Sequence, residues 1–347
     1  MRNTTSLPAT ALQIIRIYVL SRYVYLVVVV LGIIGNLFNI VIFRRKKFRS
    51  NSCSLYFIAY SINNIMSLTN GLLLWSLLFG FQFDLENTSV IFCKIRRYFT
   101  HVCFLLSSCL LTTASINRFA RVRQAQLTKN LHRYIYLCKP QASLRIILLI
   151  IVFCAMVNVH VPFFFVIDDG ECYARPGAYR VFFDVFFLVV YAICPPLGMM
   201  AVNIATVAQI RRVRCLVHPT VSRREYHLIV LVIAHSVFNV VLTLPFTINK
   251  FIYYMSDDYY LTDRSKLVRC ITLLLAFINP GLSFFLYTLT TKSFRREFVC
   301  TCEDLLIILH IRDHRKKSPM GNGISRSTRP SIRSHPMVLR STQFIRQ

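Results

Sequence analysis

The sequence predicts an all-α membrane protein, a bundle of seven transmembrane helices with its N-terminus outside the cell. Of its 347 residues, 55% are hydrophobic and only 16% are charged. The mean hydropathy of +0.52 indicates more apolar surface than is usual for a soluble chain of this length. The apolar residues also lie in blocks that are long enough to span a bilayer.

Seven blocks come close to or exceed the length of about 20 residues that a helix needs to cross the hydrocarbon core. They are continuous rather than alternating and about twice as long as a barrel strand, which favours helices. In chain order, blocks one to seven are 23–43, 55–79, 99–116, 144–167, 181–208, 228–254 and 267–288.

The orientation follows from the basic residues, which collect on the cytoplasmic side of membrane proteins. Lys and Arg cluster after blocks one, three, five and seven, for example in the segment RRKKFR at 44–49. An odd number of blocks then places the N-terminus outside. The acidic residues lie mainly in the outside loops, as Asp84, Glu86, Asp168, Asp169, Glu171, Asp257 and Asp258.

This topology divides the chain into four segments. They are an extracellular tail (1–22), the seven-helix bundle (23–290), an amphipathic juxtamembrane segment (291–304) and a disordered basic cytoplasmic tail (305–347). Cys300 and Cys302 follow the basic stretch KSFRREF, an arrangement that suits S-palmitoylation. Two unmodified thiols are the alternative.

The predicted outside loops contain two cysteines and one of two glycosylation motifs. Cys93 and Cys172 are the only cysteines in those loops, where the compartment is oxidising, so we expect them to form a disulfide. Asn3 and Asn87 begin Asn-x-Ser/Thr motifs on the same side, which predicts glycosylation. Motifs that arise by chance are the alternative.

Block seven contains an Asn-Pro pair and a serine in the middle of its apolar run, AFINPGLSFFLY at 276–287. A proline removes a backbone donor, and an unpaired amide is costly in hydrocarbon. Asn279, Pro280 and Ser283 therefore need polar partners on neighbouring helices or in an internal cavity.

Motifs in several blocks resemble those of rhodopsin-like G-protein-coupled receptors, and the resemblance covers about residues 20–300. In block one, GNLFNIVIF is similar to the family's Gly-Asn motif, which makes Asn36 the polar anchor there. Arg118 follows Cys93 by 25 residues, the spacing that the family shows between its disulfide cysteine and its motif arginine. That motif reads Asn117-Arg118-Phe119 here.

The remaining family positions include a block-six proline, Pro245, and several departures. Where the family has an aspartate in span two, this chain has Asn64, or alternatively Asn63, which puts a sodium-bound resting state in doubt. The family's Asn-Pro-x-x-Tyr motif has Ser283 in place of the tyrosine, and Tyr287 follows one turn later. The segments NPGLSFFLYTLT and SCSLYF resemble divergent invertebrate peptide and orphan (FMRFamide-like) receptors.

The resemblance implies a plasma-membrane receptor that signals to a heterotrimeric G protein. In such receptors the arginine that ends span three pairs at rest with an acid that opens span six, and the family's spacing before Pro245 assigns that role to Glu225. Asn36, Asn64 and Asn279 are expected to bond across three helices. Such a bundle has two packings of similar energy, as a switch requires; structural glue without switching is the alternative.

The expected ligand is a peptide rather than an amine or retinal. Thr100 occupies the position of the family's amine-binding aspartate, and block seven contains no lysine for a retinal Schiff base. The sequence predicts no cofactor. An acidic outer rim would attract a cationic peptide, although ordinary solvated loop charge is the alternative. The rim consists of Asp168, Asp169, Glu171, Asp257 and Asp258.

Other function classes find less support. The net charge of +27 lies beside membrane blocks, where it fixes orientation and binds anionic lipid headgroups, so membrane lipids are expected partners and nucleic acid is not. The blocks' histidines, His101, His160 and His235, stand singly, without an enzyme's zinc motif or paired acid. The alternatives are a polytopic transporter or channel, against which the lack of a two-half repeat argues, and an unrelated seven-span chemoreceptor.

Overall fold

The computed structural model describes residues 9–49, 52–124, 139–168, 170–216, 237–252 and 263–317. These residues are helical apart from short connections and one small hairpin. The chain divides into two compact units, Met1–Thr301 and Cys302–Gln347. The first unit contains the helix bundle, its polar cluster and its cavities.

The apolar blocks fold as helices because a chain in hydrocarbon must satisfy its backbone hydrogen bonds internally. Three of the long helices contain a π-helical turn between two α-helical parts. The long helices are α1 (Ala9–Val19, Leu20–Val24 and Tyr25–Arg44), α2 (Ser52–Ser67, Leu68–Leu73 and Leu74–Phe81), α3 (Val90–Gln124), α4 (Pro140–Val157), α5 (Ala178–Phe187, Leu188–Ile193 and Cys194–Leu216), α6 (Val237–Ile252), α7 (Asp263–Thr290) and α8 (Lys292–Lys317).

The predicted all-α membrane class is confirmed. Six helices in the described part of the chain are long and apolar enough to cross a membrane: α1, α2, α3, α5, α7, and α4 together with the short helix Val161–Phe164. The apolar helix α6, Val237–Ile252, covers the described part of the sixth block. The chain is therefore a multi-pass membrane protein by the length and composition of its helices.

Helix packing places α3 at the centre of the bundle. It packs against α2, α4 and α5, whereas α1 packs against α2 and α7. Where α7 ends, Tyr287 is fully buried among the rings of Phe43, Phe57 and Phe294, at centroid distances of 5.4, 5.4 and 5.6 Å. Phe294 belongs to α8, so this aromatic cluster fixes the start of α8 against α1, α2 and α7.

Several helix ends differ from the predicted boundaries, and α3 runs from Val90 to Gln124 where the prediction was 99–116. Helix α1 begins at Ala9, within the predicted extracellular tail, because ATALQIIRIYV contains no Gly or Pro to interrupt it. Helix α4 ends at Val157 rather than 167, since Asn158 leaves the helix and Pro162 begins the short helix Val161–Phe164. Helix α8 continues to Lys317, into the predicted disordered tail, along the apolar run LLIIL.

A two-stranded hairpin follows α4, where the prediction extended a helix to residue 167. Strand β1 (Phe165–Asp168) pairs antiparallel with β2 (Glu171–Ala174), and Gly170 in the turn has a φ of 75°, which glycine adopts readily. We call this end of the bundle the hairpin end. The opposite end, where α3 finishes, is the Arg118 end.

Candidate functional site

A buried polar cluster lies in the middle of the bundle, formed by Asn36 on α1, Asn64 on α2, and Pro280 and Ser283 on α7. The amide nitrogen of Asn36 donates to the carbonyl oxygens of Gly32 (2.7 Å) and Pro280 (2.9 Å). Its amide oxygen accepts from the Asn64 amide (3.1 Å) and the Ser283 hydroxyl (3.0 Å). Asn36 thus joins three helices through one side chain.

Asn279 makes no direct hydrogen bond to Asn36 or Asn64 in the described part of the chain, contrary to the expectation. The hydroxyl of Tyr60 on α2, however, contacts both Asn64 and Asn279. The amide nitrogen of Asn279 donates to the amide oxygen of Asn239 on α6 at 2.8 Å. This hydrogen bond connects α7 to α6, because Asn239 offers Asn279 a polar partner on that helix. Asn239 was missed in the sequence, although an amide within the apolar segment VFNVV is the same kind of signal as Asn279.

Two glycines bring α1 and α7 close together beside the polar cluster. A Cβ atom on Gly32 would lie 2.9 Å from the Cα atom of Gly281 and 2.6 Å from the Cδ1 atom of Leu68. Small residues allow helix backbones to approach in this way. This approach lets the Asn36 amide donate to the carbonyl oxygen of Pro280. The carbonyl that loses its helical donor because of the proline is a different one, four residues earlier in α7.

At the Arg118 end, the motif Asn117-Arg118-Phe119 is fastened to the start of α2. The amide oxygen of Asn117 accepts a hydrogen bond of 3.0 Å from Ser52. Arg118 is buried, and its Nε donates to the sulfur of Cys53 at 3.1 Å. Phe119 is half-buried. Glu225, the predicted resting partner of Arg118, lies outside the described residues, as do Asn3, Asp169, Asp257 and Asp258.

At the hairpin end, Cys93 at the start of α3 forms the expected disulfide with Cys172 on β2. Asn87 supports the same connection, because its amide oxygen accepts from the backbone N–H of Cys172 at 2.8 Å. The amide nitrogen of Asn87 donates to Asp84 at 2.9 Å. That nitrogen is the atom to which a glycan would be attached. In this structure the Asn87 side chain instead forms hydrogen bonds within the loop, and glycosylation stays a prediction.

The described acids near this end mostly pair with arginines of the chain itself. The ion pairs are Glu86 with Arg96 and Arg97, Asp168 with Arg180 (3.2 Å), and Glu171 with Arg269 (3.4 Å). An ion-paired carboxylate attracts a cationic ligand less strongly than a free one does. For Asp168 and Glu171 the predicted attraction is therefore weakened, and the cationic ligand stays a prediction.

Two cavities extend from the hairpin end toward the polar cluster. The hairpin cavity is bounded by Trp75, Arg97, Lys250 and Arg269 among others. The central cavity reaches Asn239, Asn279 and Pro280. Both are lined by the same aromatic layer, which consists of Phe104 on α3, Phe187 on α5 and Phe246 on α6.

The positions of three further residues do not test the roles predicted for them. Pro245 is inside α6, next to the aromatic layer's Phe246. Cys300 and Cys302 on α8 are half-buried free thiols, so their palmitoylation stays a prediction.

No protein-family model matches the chain, and no curated protein matches it. The fold and the site together define a multi-pass, all-α membrane protein with a polar cluster and two cavities inside its bundle.

Proposed function

We propose that the chain is a rhodopsin-like G-protein-coupled receptor of the plasma membrane. It crosses the membrane seven times with its N-terminus outside, and it transmits the binding of an extracellular ligand, a peptide, to a heterotrimeric G protein. The observation that carries the proposal is the aromatic layer shared by the two cavities. It offers a physical path from a ligand at the hairpin end to the polar residues in the middle of the membrane.

The aromatic layer links three helices that a ligand would contact together. Phe104, Phe187 and Phe246 belong to α3, α5 and α6, and each also lines the central cavity. Phe246 follows Pro245, where the proline weakens the backbone hydrogen bonding of α6. A ligand that displaces Phe246 would therefore bend α6 at Pro245, where the helix is easiest to bend.

Movement of α6 would act on its polar contact with α7. Asn239 and Asn279 form the 2.8 Å hydrogen bond between these helices, and both line the central cavity. Hydrogen bonds between membrane helices contribute only about 0.6 kcal/mol on average. A contact of this strength can be exchanged for another, so a ligand can shift the balance between two packings.

The Arg118 end supports an output to a partner protein. Arg118 is only 4% exposed, and the sulfur of Cys53 that it contacts is a weak acceptor. Its Nη1 has no hydrogen-bond partner among the described residues. A buried guanidinium favours an anionic partner, in agreement with a resting pair with Glu225 that opens when a G protein binds.

The experiment is a second-messenger assay in cells that express the chain and are exposed to a peptide library. The matched control is Arg118→Ala, which the proposal expects to bind the peptide normally but to produce no response at equal surface amounts. A peptide response that persists in cells lacking heterotrimeric G proteins would contradict the proposal.

A further inference from the structure

The hairpin cavity carries positive charge on one part of its wall and apolar side chains on another. Its charged lining residues within the described chain are Arg97 on α3, Lys250 on α6 and Arg269 on α7, and no carboxylate lines it there. Leu273 and Phe277 of α7, together with the aromatic layer, form the apolar part of the cavity wall. Such a cavity matches a ligand with an anionic head and an apolar body.

Lys250 differs from the two arginines in its contacts. Its Nζ lies 3.6 Å from the ring centroid of Phe187 and 4.8 Å from that of Phe183, so the ammonium group faces aromatic rings, and the carboxylate of Asp184 also attracts it. It forms no ion pair with any described residue. The nearby carboxylate of Asp184 accepts a hydrogen bond from the hydroxyl of Tyr173 instead.

The two arginines are fixed at the cavity wall by their own contacts. The guanidinium groups of Arg97 and Arg269 lie 5.6 and 5.1 Å from the ring centroid of Trp75. Each also pairs with an acid, Glu86 or Glu171, but Glu86 is shared with a second arginine. The described lining of the cavity thus contains three cationic side chains and no carboxylate.

A cationic side chain beside apolar groups is stabilised by an anion close to it. We propose that the hairpin cavity binds a carboxylate attached to an apolar or aromatic group, with the carboxylate at Lys250, Arg97 and Arg269 and the apolar group against Phe246 and Phe277. Guanidinium and ammonium groups form their strongest hydrogen bonds with such anions.

The inference reverses the sign of the ligand charge that the acidic residues of the sequence suggested. A free organic acid and the carboxylate of a peptide share this chemistry, and the test below separates them. The inference rests on the proposed function only for the idea that occupancy of the cavity produces a signal. Binding itself is measured without any G protein.

Trp75 makes the cavity directly observable, because it is the only tryptophan of the chain and lines the cavity wall. Bromine quenches tryptophan fluorescence on contact, so a brominated probe reports its own arrival. The full chain in lipid nanodiscs is titrated with para-bromophenylacetate and with para-bromophenylacetamide, which has the same shape without the charge. A second pair is glycyl-para-bromophenylalanine with a free or an amidated C-terminus.

We expect a free acid to quench Trp75 at a concentration about tenfold lower than its amide does, the effect of one additional charge-assisted bond. Preference for the small acid indicates a free organic acid as the ligand, whereas preference confined to the dipeptide acid indicates a peptide carboxylate. Equal quenching by acid and amide in both pairs, or tighter binding of the cation para-bromophenethylamine, would overturn the inference.

Variants of Lys250 separate charge recognition from a general effect on folding. Lys250→Met should reduce the acid preference to about twofold or less, because only the two paired arginines remain. Lys250→Arg should keep the preference, and so should Asp184→Asn, which removes a carboxylate outside the cavity lining. An unchanged preference in Lys250→Met would also overturn the inference, and the second-messenger assay would still stand as a separate test of the receptor.

Discussion

Replacing Asn36 by leucine tests whether the polar cluster holds the bundle together. The side chain of Asn36 takes part in hydrogen bonds with Gly32, Asn64, Pro280 and Ser283. Asn39 offers a matched control three residues away on the same helix. It is also fully buried, but among the described residues its side chain makes a single hydrogen bond, of 3.3 Å to Ser283.

The magnitudes follow from these bonds. At about 0.6 kcal/mol for each hydrogen bond between membrane helices, Asn36→Leu loses three such bonds, about 1.8 kcal/mol, and Asn39→Leu one, about 0.6 kcal/mol. Asn36→Leu also removes its intrahelical bond to Gly32 and the shortest hydrogen bonds that the Asn64 amide and the Ser283 hydroxyl donate, which adds to its cost. We therefore expect the two variants to differ by about 1 kcal/mol or more.

Equilibrium unfolding of the purified chain in mixed micelles measures this difference. Ligand-independent signalling of the same variants in cells then reports whether the cluster also restrains the active packing. If Asn36→Leu and Asn39→Leu lower the free energy of unfolding equally, the geometry of the cluster does not govern stability and the reasoning is refuted.

The remaining predictions concern three other places in the fold. Gly32→Ala should destabilise the chain by about 1–3 kcal/mol through overpacking, whereas Gly198→Ala, with its nearest atom 4.0 Å away on Thr112, should be neutral or stabilising by up to about 1 kcal/mol; equal thermal stability of the two would contradict the close approach of α1 and α7. Glu225→Gln should raise ligand-independent second-messenger levels severalfold, since a resting ion pair that contributes about 1 kcal/mol shifts a two-state population by that factor, and unchanged levels at equal surface expression would remove the resting pair. Asn87→Gln should lower the amount of chain at the cell surface by displacing the amide that bonds Cys172, even in cells that do not add N-linked glycans; a loss seen only in glycosylating cells would assign the residue to the glycan instead.

The sequence was enough to predict the membrane-spanning helices but not enough to predict where each of them ends. Long apolar blocks predict spanning helices because hydrocarbon leaves the backbone no alternative. The same apolarity did not distinguish the strand Phe165–Asp168 from the end of a helix, since a short apolar run fits either. A glycine turn and an interrupting proline decided that segment.

The candidate site shows the same limit. Polar residues in apolar blocks marked Asn36, Asn64 and Ser283, which the structure brings together. Their spacing along the chain did not reveal that Asn279 would meet Asn239 on α6. Lys250, near the end of its block, resembled an ordinary boundary charge, and only the packing of three helices shows that it lines a cavity with two arginines.

The most direct test of the receptor proposal is nucleotide exchange on purified heterotrimeric G proteins by the chain in nanodiscs. Glu225→Gln is compared with the double variant that also carries Arg118→Ala. The account predicts that ligand-free exchange rises above that of the unaltered chain in the first variant and returns to the level of empty nanodiscs in the second. Exchange that does not depend on Arg118, or no exchange above empty nanodiscs on any class of G protein, would contradict it.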